Sequence, residues 1–204
     1  TYDYCKLYDV NLRQVFSLKN CNLALLAGSG FLIYAIAYTI ALCAGVKNFA
    51  GLTLSAMIAH VFLQQITTGF YEEIVYRGLI LGGYFEQEDR SWKKRMVYAF
   101  VSFVIFGSIH LLDGNWHTFL FTGSIGFAFA AIYLKSHNIF IPMLLHFVYD
   151  VAANLSYYVE YNQTELFKNM VSLLDPILVL MFVISLIVII FPHPNDNSVE
   201  KEVE

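Results

Sequence analysis

The chain has 204 residues, of which 58% are hydrophobic, 17% aromatic and only 14% charged, against about 25% charged in an ordinary soluble domain. That deficit excludes a typical soluble protein, and the apolar residues fall in long blocks, so the bilayer is the expected solvent. With a net charge of −4 and no basic domain, nucleic acid is excluded as a partner.

Uncharged stretches of about 20 residues, the length of a membrane-crossing helix, predict an all-α integral membrane protein. The expected architecture is a bundle of about six transmembrane helices with a buried polar site. Residues 1–20 read as a cytoplasmic N-terminal segment, 21–191 as the transmembrane domain and 192–204 as a cytoplasmic acidic tail. The first span lies near 21–46. It reads as a span rather than a removable signal peptide, being longer than an h-region and ending without an A-x-A-like cleavage site. The chain starts at Thr1 rather than at a methionine, which leaves its native N-terminus open.

The next segment, 49–85, carries only Glu72, Glu73 and Arg77 as charges. As one helix it would be about 55 Å long, so it is expected to tilt strongly, break near Gly69 or lie partly along the surface. Further spans lie near 96–112, 115–134, 139–159 and 170–191, the last ended by Pro192 and Pro194. Cys5, Cys21 and Cys43 form no CxxC pair, and Cys21 and Cys43 would stand about 33 Å apart along one helix. No structural disulfide is expected.

Six crossings with the N-terminus inside place Lys6, Arg13, Lys19, Arg90, Lys93, Lys94, Arg95, Lys135 and Lys201 in the cytoplasm and only Lys47 and Lys168 outside. That bias follows the positive-inside rule and predicts a multi-pass protein of the cell membrane, both termini cytoplasmic, as is the loop from Glu86 to Arg95. Tyr84, Trp92, Tyr98 and Tyr133 are expected in one aromatic belt, and Tyr157, Tyr158 and Tyr161 in the other.

An ionisable side chain inside a span costs at least a few kcal/mol and needs a partner or a function. Here such residues are grouped: Glu72, Glu73 and Arg77; His110, after Phe106; and His146 with Asp150. Glu73 and Arg77 stand at i and i+4 in the favoured acid-before-base order. Glu72 points about 100° away, free to act as a general base. His146 and Asp150 share one helix face. Measured along their helices from Phe85, Met96 and Ile139, Glu72 lies about 20 Å deep, His110 about 21 Å, His146 about 11 Å and Asp150 about 17 Å. All four fit one layer, as a catalytic or metal-binding constellation requires.

The motifs Glu72-Glu73-x-x-x-Arg77, Phe106-x-x-x-His110 and His146-x-x-x-Asp150, in that order, resemble the EExxxR, FxxxH and HxxxN/D motifs of the CPBP family of intramembrane proteases. That family comprises the type II CAAX prenyl endopeptidases and bacterial bacteriocin-processing or self-immunity proteins. The resemblance covers about residues 49–155. It implies that Glu72 and His110 activate the attacking water, while His146 and its helical neighbour stabilise the oxyanion. At that neighbour the chain has Asp150 rather than Asn, and an ionised Asp cannot donate a hydrogen bond. Asp150 is therefore protonated, orients His146 or binds a metal.

The cofactor is left open by the sequence. Glu72, His110, His146 and Asp150 are candidate zinc ligands, yet no HExxH helix is present and Glu/His activation of water needs no metal. The expected partners are the lipid bilayer and a peptide or protein substrate that reaches it, for processing or self-immunity of bacteriocin type. The alternative is a non-proteolytic immunity or regulatory protein that binds a peptide or membrane partner. A proton-coupled transporter would also use buried acids and histidines, but internal repeats are missing. Glu73 and Arg77 also admit a purely structural role. His60 reads as a structural histidine, His117 and His137 as interface residues, Phe106 as packing, and Gly78 with Gly82 as a close helix contact.

Overall fold

The computed structural model describes residues 18–79, 81–82, 91–112 and 114–191. Cys5, Tyr84, Arg90, Pro192, Pro194, Lys201, most of the N-terminal segment, the first half of the Glu86–Arg95 loop and the acidic tail lie outside the described residues. In chain order come α1 (Cys21–Ala27), α2 (Ser29–Gly45) and β1 (Val46–Phe49). The long helix α3 covers 54–79: an α-helical turn Leu54–Ala56, π-helical Met57–Leu63, α-helical Gln64–Glu73 and π-helical Ile74–Leu79. Then follow α4 (Trp92–Leu111), α5 (Trp116–Ser136), α6 (Phe140–Ser156), β2 (Val159–Tyr161), α7 (Glu165–Ser172) and α8 (Leu174–Ile190).

The expected helical membrane bundle is what forms, but its crossings are not six equal rods. Among the described residues Trp92–Leu111, Trp116–Ser136 and Glu165–Ile190 are long and apolar enough to cross a membrane, and α1 with α2, bent by 63°, adds a fourth where the bent pair is taken as one span. The other two expected spans fall short for separate reasons. Phe140–Ser156 has only 17 residues, and α3 carries three charges and is divided by π-helical stretches. The helix runs through Gly69 without a break. The departures from α-geometry lie on either side, and π-helical turns recur at functional sites.

Helix α5 is the centre of the bundle, with every residue from Ile125 to Ser136 buried. Its start is fixed by Asn115, whose Oδ1 accepts from Thr118 N at 3.1 Å. Its end is fixed by His137, which turns left-handed (φ 54°) and donates its N–H to Tyr133 O. Small residues set how closely α4 approaches: a Cβ on Gly126 would stand 2.8 Å from Phe106 Cβ, and one on Gly107 2.7 Å from Phe119 O. Gly82, by contrast, faces open space, so the expected Gly78/Gly82 contact is not made there.

The two ends of the bundle differ. At one end Arg95 Nε donates to Ile189 O (3.1 Å) and Lys135 Nζ to Phe191 O (2.6 Å), cations placed where the negative end of α8 favours them. Both were expected between spans on the cytoplasmic side, and both are buried, where the carbonyls of α8 offer them partners. Tyr133 is buried as well, so it is core rather than belt. At the other end β1 and β2 pair antiparallel, Val46 with Tyr161 and Phe49 with Val159, and Lys47 meets Glu160 at 3.8 Å on the surface. Cys21 and Cys43 are free thiols.

Candidate active site

The site forms where α3 crosses α6. Gly69 makes the crossing close: a Cβ there would stand 3.2 Å from Phe147 N and 3.6 Å from His146 Cβ. One turn further along α3, Glu73 occupies the same face and meets His146, its Oε1 accepting from Nδ1 at 2.9 Å. The same oxygen lies 3.0 Å from Arg77 Nη1, with both side chains wholly buried. Arg77 Nη2 in turn donates to Gly126 O (3.1 Å), which also accepts from Ser102 Oγ (3.0 Å). The guanidinium lies against Phe106 at 4.9 Å and Phe129 at 5.3 Å from the ring centres, favourable cation–π contacts.

The other imidazole nitrogen faces two more carboxylates. His146 Nε2 lies 3.8 Å from Glu72 Oε2 and 3.5 Å from Asp150 Oδ2. Glu72 retains 21% side-chain exposure while Glu73 has none, so the adjacent acids differ: one is locked to Arg77, the other is reachable. His110 stands on α4, its Nδ1 donating to Phe106 O at 2.8 Å. A carbonyl only accepts, so the proton is on Nδ1, and Nε2 of the neutral ring is left as an acceptor. His110 lies within electrostatic range of both Glu72 and Asp150, and its ring and that of His146 both pack against Phe106.

Glu72, His110, His146 and Asp150 thus come into one neighbourhood. Arg77's bond to Gly126 places it at the midpoint of α5, halfway through a spanning helix. What sequence reasoning missed is the bond from Glu73 to His146. Spacing along α3 assigns Glu73 to Arg77 alone, and the signal for the second partner was Gly69, a small residue on the same face. Of the remaining histidines, His60 Nδ1 is 3.2 Å from Gln64 Oε1 and His117 Nε2 is 3.4 Å from Asp175 Oδ1. The residues do not fit a zinc site: among the described residues no three His, Cys, Asp or Glu side chains are grouped to hold one ion, and both nitrogens of His146 face carboxylates.

A multi-pass helical membrane protein with acids and histidines gathered inside the bundle is the class that fold and site define. Residues 53–152, the stretch containing all three motifs, match the family model of the type II CAAX prenyl endopeptidase Rce1-like proteins. No curated protein and no solved structure matches.

Proposed function

We propose that the protein is an intramembrane endopeptidase in which Glu72 and His110 activate a water molecule and His146 stabilises the resulting oxyanion. The observation that carries this reading is the convergence of Glu72, Glu73 and Asp150 on one buried imidazole inside the family-matched stretch. Glu72, the acid not paired with Arg77, takes a proton from water as the oxygen attacks the scissile carbonyl carbon. His110, protonated at Nδ1, accepts the second hydrogen of that water at Nε2 and orients it. His146, as the imidazolium, is held by Glu73 through Nδ1–H and presents Nε2–H to the oxyanion, with Asp150, as a protonated acid, a second donor beside it. Collapse of the intermediate breaks the C–N bond, and the proton on Glu72 passes to the leaving amine, so one water is consumed per bond cleaved.

The substrate is a peptide or protein whose cleavage site reaches the bilayer. The connection between α5 and α6, 137–139, is short, which supports a small peptide of bacteriocin type in processing or self-immunity. The orientation we assign has both termini and the Glu86–Arg95 loop in the cytoplasm. Supporting it, Arg95 and Lys135 gather at one end of the bundle and Lys47 at the other. Cysteines introduced into that loop should resist an impermeant thiol reagent in intact cells, and efficient labelling there overturns the orientation. For the activity, purified protein in proteoliposomes is incubated with a library of apolar peptides and the products read by mass spectrometry. Discrete cleavage products are expected, and their absence across the library counts against the reading.

A further inference from the structure

Helix α3 has a face that suits neither lipid nor the bundle core. At about 100° per residue, Gln64, Thr67, Thr68, Tyr71 and Glu72 fall within one arc of roughly 140°. Gln64, Thr67 and Tyr71 are exposed, Tyr71 by 63%, and Thr68 is half-buried. The depth of this face follows from Arg77, which reaches the midpoint of α5. Gln64 lies about 12 Å beyond Glu72 along the axis and about 20 Å from Arg77, so Tyr71 and Thr68, about 9 and 14 Å from that midpoint, fall within the half-thickness of about 15 Å of the hydrocarbon core and Gln64 at its edge. Some of its polarity is consumed internally: Thr67 Oγ1 donates to Leu63 O at 3.1 Å, and Gln64 Oε1 faces His60 Nδ1. The Gln64 amide nitrogen, the Thr68 hydroxyl and the Tyr71 hydroxyl have no partner among the described residues. The unpaired Thr68 and Tyr71 hydroxyls are costly against lipid tails, which offer no hydrogen bonds, and the Gln64 amide extends the same polar track to the membrane interface.

We infer that this face seats the extended backbone of the peptide substrate, Gln64, Thr68 and Tyr71 pairing with its N–H and C=O groups and leading the scissile bond to Glu72; this rests on the endopeptidase reading. The complementarity is mutual. An unfolded peptide inside a bilayer brings unpaired backbone groups that the hydrocarbon cannot satisfy, and the face supplies amides and hydroxyls that lack partners. It is also continuous with the cluster, because Glu72, which retains 21% side-chain exposure, lies at its edge. An extended chain advances about 3.3 Å per residue, so 12 Å corresponds to about four substrate residues on one side of the cleaved bond.

The test measures binding apart from cleavage. A fluorescein-labelled apolar peptide is titrated against the full-length chain carrying Glu72→Gln, in detergent micelles, with and without the pair Gln64→Leu and Thr68→Val, and separately with Tyr71→Phe. These substitutions keep side-chain size and make the face more apolar, so insertion and folding are retained. The pair is expected to weaken binding about tenfold or more, the loss of about 1.4 kcal/mol or more, and Tyr71→Phe to weaken it less. In the cleaving chain the same pair should raise KM and leave kcat within about threefold. Binding that is absent from the parent, or unchanged by the pair, overturns the inference. So does a change in oligomeric mass on substitution, which would make the face a contact between copies, or a fall in kcat at constant KM, which would make it a water path. Peptide binding that depends on the pair, without cleavage by the unsubstituted chain, would uphold the seat and reject the endopeptidase reading.

Discussion

Glu73 and His146 are joined by a 2.9 Å hydrogen bond between α3 and α6, and the carboxylate oxygen that makes it is the one Arg77 approaches at 3.0 Å. One acid therefore holds a cation from its own helix and an imidazole from another, with all three side chains buried. Glu73→Gln should weaken both contacts and leave Arg77 buried without its counter-charge. Breaking such a pair costs about 3–5 kcal/mol, so thermal unfolding should drop sharply, and cleavage should fall as His146 loses its orientation. A Glu73→Gln protein as stable as the parent would show that the contact does not hold the helices.

Arg77→Ala removes the guanidinium from between Glu73, Gly126 O and the Phe106 and Phe129 rings. Its expected cost is again about 3–5 kcal/mol, and Arg77→Lys should recover only part, because one ammonium cannot reproduce the planar fork. Chemical denaturation in mixed micelles measures both.

Much of this was legible in the sequence. The helical blocks, the family and the residues Glu72, His110, His146 and Asp150 follow from hydropathy and from three spaced motifs, since helical periodicity makes i and i+4 neighbours predictable. What spacing along one helix cannot give is contact between helices. The Glu73–His146 bond depends on the closeness that Gly69 permits, and the Arg77–Gly126 bond on the approach of α3 to α5. The burial of Arg95 and Lys135 was also hidden, because their partners are carbonyls at the end of α8, and carbonyl positions leave no side-chain signature.

The helix contacts that carry His110 can be tested through glycine. A Cβ at Gly107 would press on the backbone oxygen of Phe119 at 2.7 Å, and overpacking of this kind costs about 1–3 kcal/mol. Gly107→Ala should therefore lower the unfolding temperature and the cleavage rate together. Gly82→Ala, whose side chain would enter open space, should leave both unchanged.

Asp150 lies 3.5 Å from His146 Nε2, on the side opposite the Glu73 contact. If it serves as a neutral donor beside that nitrogen, Asp150→Asn keeps shape and a donor and should retain much of the activity. Asp150→Ala should lose most of it. Activity and zinc content are measured together, with a chelator added to the parent. Retained activity in the Asn variant and after chelation is expected, because the donors around His146 are engaged with each other. Stoichiometric zinc in the parent, lost with activity in Asp150→Asn, would reverse that assignment.

In the proposed chemistry Glu72 is the base that activates water. The most direct measurement compares cleavage of one reporter peptide by the parent and by Glu72→Gln in proteoliposomes, with folding of both checked by thermal unfolding. Glu72→Gln is expected to lose about 10² to 10⁴-fold in rate with an unfolding temperature close to the parent's, and His110→Ala should follow the same pattern. Cleavage by Glu72→Gln at the parental rate, or immunity that survives the substitution intact, would contradict it and favour a protein that binds its peptide without cutting it.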